Sequence, residues 1–215
     1  MGKINEITVF ASGNSKDIRT WSNVPYFFTE TLLTKGIKVN RVDLSPSSFL
    51  KGIFNLTIKL VINRINKDTT YNYFRSFTHF NDVKNRIKKA LKQFPDSDAN
   101  VFLTFSFSSA GLTSKPSIQF CDWTYDHYLK YFKNRKPDFL EKQCIRREDL
   151  QIEGSDLVFS LFPGIAGDMR KRYKNPNIQY LGNVINSLIV VSDICLLYTS
   201  PSPRDRTRSR MPSSA

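Results

Sequence analysis

The chain is poor in the residues on which compact catalytic motifs usually rest. It has three cysteines and two histidines in 215 residues. His79 and His127 are far apart, and Cys121 and Cys144 have no metal-ligand spacing, so no zinc cluster and no small disulfide framework can be read from them. Glycine is also scarce. Only Gly13 stands near the first strand-to-helix turn, where a dinucleotide site places G-x-G-x-x-G, and no G-x-x-x-x-G-K-[ST] occurs. A nicotinamide-dependent oxidoreductase is therefore the weakest reading, and neither a cofactor site nor a metal site is assigned. Long apolar runs are missing, and the N-terminal MGKINEITVF has no signal-type segment. Glu6 stands where an N-myristoylation pattern needs Ser or Thr. A reducing cytoplasm is the expected location, with room for peripheral contact at the inner membrane face.

Acidic residues are the other shortage, 19 against 32 Lys and Arg, for a formal charge of +13. Part of that excess belongs to a tail without hydrophobic period. Residues 195–215 (CLLYTSPSPRDRTRSRMPSSA) resemble a translated sequencing-library adapter of the Nextera type. Cys-Leu-Leu-Tyr-Thr-Ser can be written TGT CTC TTA TAC ACA TCT, and Pro-Ser-Pro-Arg-Asp then fits CCG AGC CCA CGA GAC. After a gap of index length, Ser-Arg-Met-Pro-Ser-Ser-Ala fits TCT CGT ATG CCG TCT TCT GCT. The expectation is a non-native, disordered tail that interrupts a longer gene near Ile194. Without its four arginines and one aspartate the charge of +13 drops by three, to +10. The basic bias persists.

What is present is an alternation of strand and helix patterns. Residues 7–11 (ITVFA) form a short β-branched and aromatic run ending in the turn composition SGNS, and after a polar loop 26–36 have helical spacing closed by Gly36. Residues 37–44 alternate as a second strand. Apolar residues recur at helical spacing over 47–64, interrupted by Lys51, Lys59 and Arg64. That pattern fits a helix packed on the sheet or a basic amphipathic helix resting on a membrane surface. A helix is expected over 73–94, with Lys84, Arg86, Lys88, Lys89 and Lys92 as a solvated face or a phosphate-binding stripe. Strands follow at 100–107, 117–121, 157–161 and 177–182, and helices at 138–150 and 166–173. The class is α/β, with a mainly parallel Rossmann-like sheet and helices on both faces.

In such sheets ligands bind beyond the carboxyl ends of the strands. Two stretches there carry the chemistry: 12–25 (SGNSKDIRTWSNVP) and 122–127 (DWTYDH). Trp21, Ser22, Asn23, Asp122, Trp123 and Thr124 combine aromatic faces with directional polar groups, the mixture that sugar recognition uses. Domain packing is the equally open explanation of the two tryptophans. Asp122 is the first candidate for a hydroxyl ligand or general base, and His127 the second for the base. Asp43 ends the second strand as a ribose-binding acid would, but without the glycines it reads as a strand-end cap. Residues 164–167 (GIAG) could offer N–H groups to an anion or form a tight turn.

The order of these residues resembles family 4 glycosyltransferases of the GT-B fold, in a bacterial branch acting on surface polysaccharide or lipid-linked sugars. TWSNVP at 20–25 is similar to the family's W-S-G-x-P element, and IQFCDWTY at 118–125 to a strand followed by Asp-x-Thr. Arg147-Glu148, GSDLVFS at 154–160, Tyr173 and IQYLGNVIN at 178–186 are similar to its E…(A/S)D-x-V…S…Y…V-x-x-x-G-x-N pattern. Asn23 departs from the family's Gly, and Phe162-Pro163 from its polar or Trp-containing segment. The resemblance implies an acceptor-side N-terminal domain over 1–186, with Gly13, Trp21, Ser22, Asn23, Trp123 and Thr124 toward substrate. Residues 187–194 would begin a linker or second domain that holds a nucleotide-sugar as co-substrate. The implied activity is sugar transfer to a polysaccharide or lipid-linked acceptor, and this chain alone is expected to be inactive. The rival is a basic α/β module binding nucleic acid through Lys84 to Lys92 and Arg170 to Lys174, a partner that the glycosyltransferase reading does not require.

Overall fold

Strand β1 (Glu6–Ala11) is buried from Ile7 onward, as a central strand covered on both faces must be. Its neighbours are β2 (Lys38–Asp43) on one side and β3 (Ala99–Phe102) on the other, and β4 (Ser117–Cys121), β5 (Leu157–Ser160) and β6 (Ile178–Tyr180) follow outward. All five pairings are parallel, in the order β2-β1-β3-β4-β5-β6. The computed structural model describes residues 4–182. The expected second-domain start at 187–194 and the tail at 195–215 lie outside the described residues, as do positions 183–186 of the linker motif.

Register explains how both faces are covered. The row Phe10, Phe102, Gln119, Val158 and Ile178 lies on one face. There Phe10 stacks on Phe102 at 4.4 Å and packs with Val83, Ile87 and Ala90 of α4 (Phe77–Gln93). Farther along the same face, Val158 and Ile178 pack with Ile152 of α6 (Phe139–Gly154) and Met169 of α7 (Pro163–Arg172). The alternate residues Ile7, Val9 and Ala11 face the other way, toward Val24, Phe28 and Leu32 of α1 (Val24–Thr34). The first crossover runs from β1 to β2 and the second returns past β1 to β3. The direction of winding therefore reverses between β1 and β3, which makes the doubly wound, Rossmann-like arrangement.

Three expected elements come out differently. The single helix over 47–64 is two, α2 (Ser48–Leu56) and α3 (Ile58–Ile65), broken at Thr57, whose φ −117°, ψ −80° leave the helical region. Thr57 turns its hydroxyl back onto the Ile53 carbonyl at 2.7 Å, a competing bond typical of Thr within helices. The helix expected from residue 73 starts at Phe77, because Ser76 caps it by accepting the His79 N–H, and residues Tyr73–Arg75 form a separate 3-10 turn. The strand expected over 100–107 ends at Phe102. Beyond it the buried Gln119 side chain donates to the carbonyls of Phe105 and Phe107 at 3.1 and 2.9 Å. Those carbonyls are drawn from the ladder, and the apolar run continues as a buried loop.

Candidate functional site

A cleft of about 360 Å³ opens where the winding reverses, beyond the carboxyl ends of β1, β3 and β4. Ser12 and Trp21 come from the loop after β1, Leu103 to Ser106 from the loop after β3, and Cys121 to Tyr125 from the end of β4. Phe74, Arg75, Tyr128 and Glu148 complete the lining. The volume lies within the range of small-molecule sites.

The loop after β1 is built to hold Trp21. The Gly13 N–H donates to Asp43 Oδ1 at 2.9 Å, and the Ser45 N–H donates to the same oxygen at 2.7 Å. Asp43 thus caps the strand end. Gly13 has φ +121°, and a Cβ there would meet Thr20 Cγ2 at 2.5 Å. Thr20 is itself fixed, its hydroxyl donating to the Asn14 carbonyl at 2.8 Å. Trp21, Ser22 and Asn23 then take left-handed φ values of 37°, 53° and 69° in succession. Such a run is rare outside glycine. It reverses the chain sharply enough for Pro25 to start α1 while Trp21 packs against the β1 core and reaches the cleft. Asn23 occupies the conformation that Gly and Asn tolerate best. Ser22 is exposed. Neither Gly13, Ser22 nor Asn23 lines the cleft.

At the end of β4, three candidates do meet there: Asp122, Trp123 and Thr124. Asp122 Oδ1 accepts the Trp123 N–H at 2.8 Å and the Cys121 thiol at 3.2 Å, and among the described residues Oδ2 takes no hydrogen bond. Trp123 stands edge-on to Phe132 at 4.8 Å and beside Phe162 at 5.6 Å. Thr124 is fully buried and caps α5 (Tyr125–His127), its hydroxyl accepting the His127 N–H at 3.3 Å. His127 lies elsewhere. Its Nδ1 is 2.6 Å from Thr124 Oγ1 and its Nε2 3.3 Å from Asp168 Oδ2, and it lines a separate surface hollow with Lys130 and Lys171.

No protein-family model matches the chain, and no curated protein matches it significantly.

Of the lining residues that the sequence did not mark as site residues, two are charged, Glu148 and Arg75. Glu148 on α6 is buried, with Oε1 accepting the Tyr125 N–H at 2.6 Å and Oε2 the Ser106 hydroxyl at 3.1 Å. Burial pushes its carboxyl above the usual range, against the Tyr125 N–H and the nearby Arg75 charge, which favour the anion. Arg75 places its guanidinium over the Tyr125 ring, 3.3 Å from the centroid. Both ride on elements whose relation to the cleft is tertiary. The only signal in sequence was the Arg147-Glu148 pair in the motif resemblance. Among the described residues no cluster of His, Cys, Asp and Glu could hold a metal ion. Residues 164–167 lie in the first turn of α7, and neither glycine there meets a neighbour that would bar a Cβ.

Proposed function

We propose that the domain is the acceptor half of a glycosyltransferase that moves a sugar from a nucleotide-sugar to a glycan or lipid-linked acceptor. The observation that carries this reading is the convergence of Trp21, Trp123 and Asp122 on one cleft at the sheet's switch point. Indole faces suit the C–H surfaces of a pyranose, and a partly exposed carboxylate with one free oxygen suits its hydroxyls. In the transfer, the acceptor oxygen bonds to the anomeric carbon, the bond to the nucleoside diphosphate breaks, and the acceptor hydroxyl loses its proton. In this reading Asp122 receives that proton or orients the hydroxyl. Glu148, locked by Tyr125 and Ser106, acts as a support for the Asp122–Tyr125 turn. His127, engaged by Thr124 and Asp168 outside the cleft lining, is the lesser candidate for the base.

The reading requires a second α/β domain to hold the nucleotide-sugar. An independent read of the gene past codon 194 that encodes none would contradict it. Binding can be tested on the chain directly, by titrating mono- and oligosaccharides while following tryptophan fluorescence and saturation-transfer NMR. Trp123→Ala and Asp122→Asn should each weaken saccharide binding about tenfold, the loss of roughly one stacking or charge-assisted contact. If no saccharide in a broad panel perturbs either tryptophan, the assignment fails.

A further inference from the structure

Helices α2 and α3 carry an apolar edge that no described element covers. In α2, Phe54 turns inward onto Tyr71 and Tyr73, whereas Phe49, Ile53 and Leu56, spaced i, i+4, i+7, remain 75, 47 and 75% exposed. The next helix goes further: α3 buries none of its side chains, and Ile58, Leu60, Val61 and Ile65 are all exposed, Ile65 at 83%. Its C-terminal end is held by Asn66, which donates to Asp138 at 3.0 Å. Seven large apolar side chains exposed on two consecutive helices exceed the scatter expected on a water-facing surface.

Charge identifies the occupant. No Asp or Glu occurs between Asp43 and Asp68, whereas Lys51, Lys59, Arg64 and Lys67 do. A protein partner's apolar core would exclude lysines. A bilayer accepts both classes, because the apolar side chains enter the headgroup boundary while Lys and Arg stems extend their charges to lipid phosphates. Among the described residues no helix is long and apolar enough to cross a membrane, which leaves a helix pair lying in the interface. We infer that the α2–α3 elbow is a docking surface for an anionic lipid bilayer. It stands whether or not the cleft transfers sugar. Its position has a consequence for that reading, since Tyr73, on which Phe54 packs, begins the turn that delivers Phe74 and Arg75 to the cleft. A bilayer held by α2 is thus one packing layer from the candidate site.

The full chain should co-sediment with phosphatidylcholine vesicles containing about a third phosphatidylglycerol and far less with pure phosphatidylcholine, and salt should weaken the binding. The triple variant Leu56→Gln, Val61→Gln, Ile65→Gln should lower partitioning at least about tenfold, through loss of inserted apolar area. Lys59→Glu with Arg64→Glu should abolish the preference for anionic vesicles. Thermal unfolding of each variant, matching the parent, shows that the fold is kept. Vesicle binding that is absent, or unchanged by these substitutions, overturns the inference. So does concentration-dependent dimerisation lost in the triple variant, which would make the edge a contact between copies. A rise in parent-chain vesicle binding on deletion of residues 183–215, with no binding before it, would instead make a segment of this chain the cover.

Discussion

Gly13 shows how much of the candidate site depends on backbone that no other residue can supply. With φ +121° and Thr20 Cγ2 only 2.5 Å from a would-be Cβ, Gly13→Ala should cost about 1–3 kcal/mol and displace Trp21. Thermal unfolding would read the first effect and the Trp21 fluorescence maximum the second. Asn23→Gly should be tolerated, because its φ of 69° is one that glycine adopts freely. His79 presents a different single-residue problem. It is fully buried among Tyr73, Phe74 and Phe107, and neither ring nitrogen has a partner among the described residues. Burial, helped by the Arg86 charge, lowers its pKa from 6.5 to about 4, against a small opposing influence of Asp82. The folded value lies below the unfolded one, so the folded protein favours the neutral ring. The associated stability is fully present above pH 6.5 and is lost as pH falls from 6.5 toward 4, amounting to about 3 kcal/mol at most. His79→Phe should remove that part of the decline and raise the melting temperature at pH 5 more than at pH 7.5.

The α6 N-terminus is the element on which several segments depend. Asp138 caps the helix by accepting the Glu141 N–H at 2.8 Å, and Glu141 reaches back to the Asp138 N–H at 3.0 Å. The helix start near residue 138 was legible in sequence. Its further role was not, because Glu141 also binds Arg135 at 2.6 Å and the Thr70 N–H at 2.7 Å, tying in the chain just after α3. Burial raises the Glu141 carboxyl pKa, but the bonds from Arg135, Asp138 and Thr70 outweigh it and bring it from 4.5 to about 2. This carboxylate's stabilisation is present above pH 4.5 and disappears as pH falls through about 2. Asp138→Ala should cost about 1–2 kcal/mol, through the cap and the lost Asn66 bond. Hydrogen exchange should show the loss concentrated in the first turn of α6 and the segment around Thr70. The break at Thr57 has the opposite character. A continuous apolar period ran through it, and only a side chain turned back on its own helix separated α2 from α3.

For the whole molecule, the basic excess is spread over surfaces with different neighbours. Lys84, Lys88, Lys89 and Lys92 lie exposed on α4 and none of them lines the cleft. If they served nucleic acid, affinity for duplex or single-stranded probes would fall steeply with salt. The expected outcome is no measurable binding at about 150 mM salt by fluorescence anisotropy, and tight, salt-sensitive binding would favour the nucleic-acid reading instead. Parallel strands, helix periods and the placement of 122–124 after a strand were legible in the sequence, because the β1, β4 and β5 runs are short, apolar and bounded by turn residues. The left-handed Trp21-Ser22-Asn23 turn was not, since none of the three is glycine. By itself the sequence determined an α/β sheet with Trp21, Asp122 and Trp123 on loops at the carboxyl ends of its strands, through local periodicity and hydrophobic burial. Only the tertiary structure decided that Trp21 lines the cleft while Ser22 and Asn23 do not, that Glu148 and Arg75 enter it, and that His127 stands outside it. Those outcomes depend on strand order and on which way each buried polar group finds its hydrogen-bond partner, and neither is encoded by spacing along the chain.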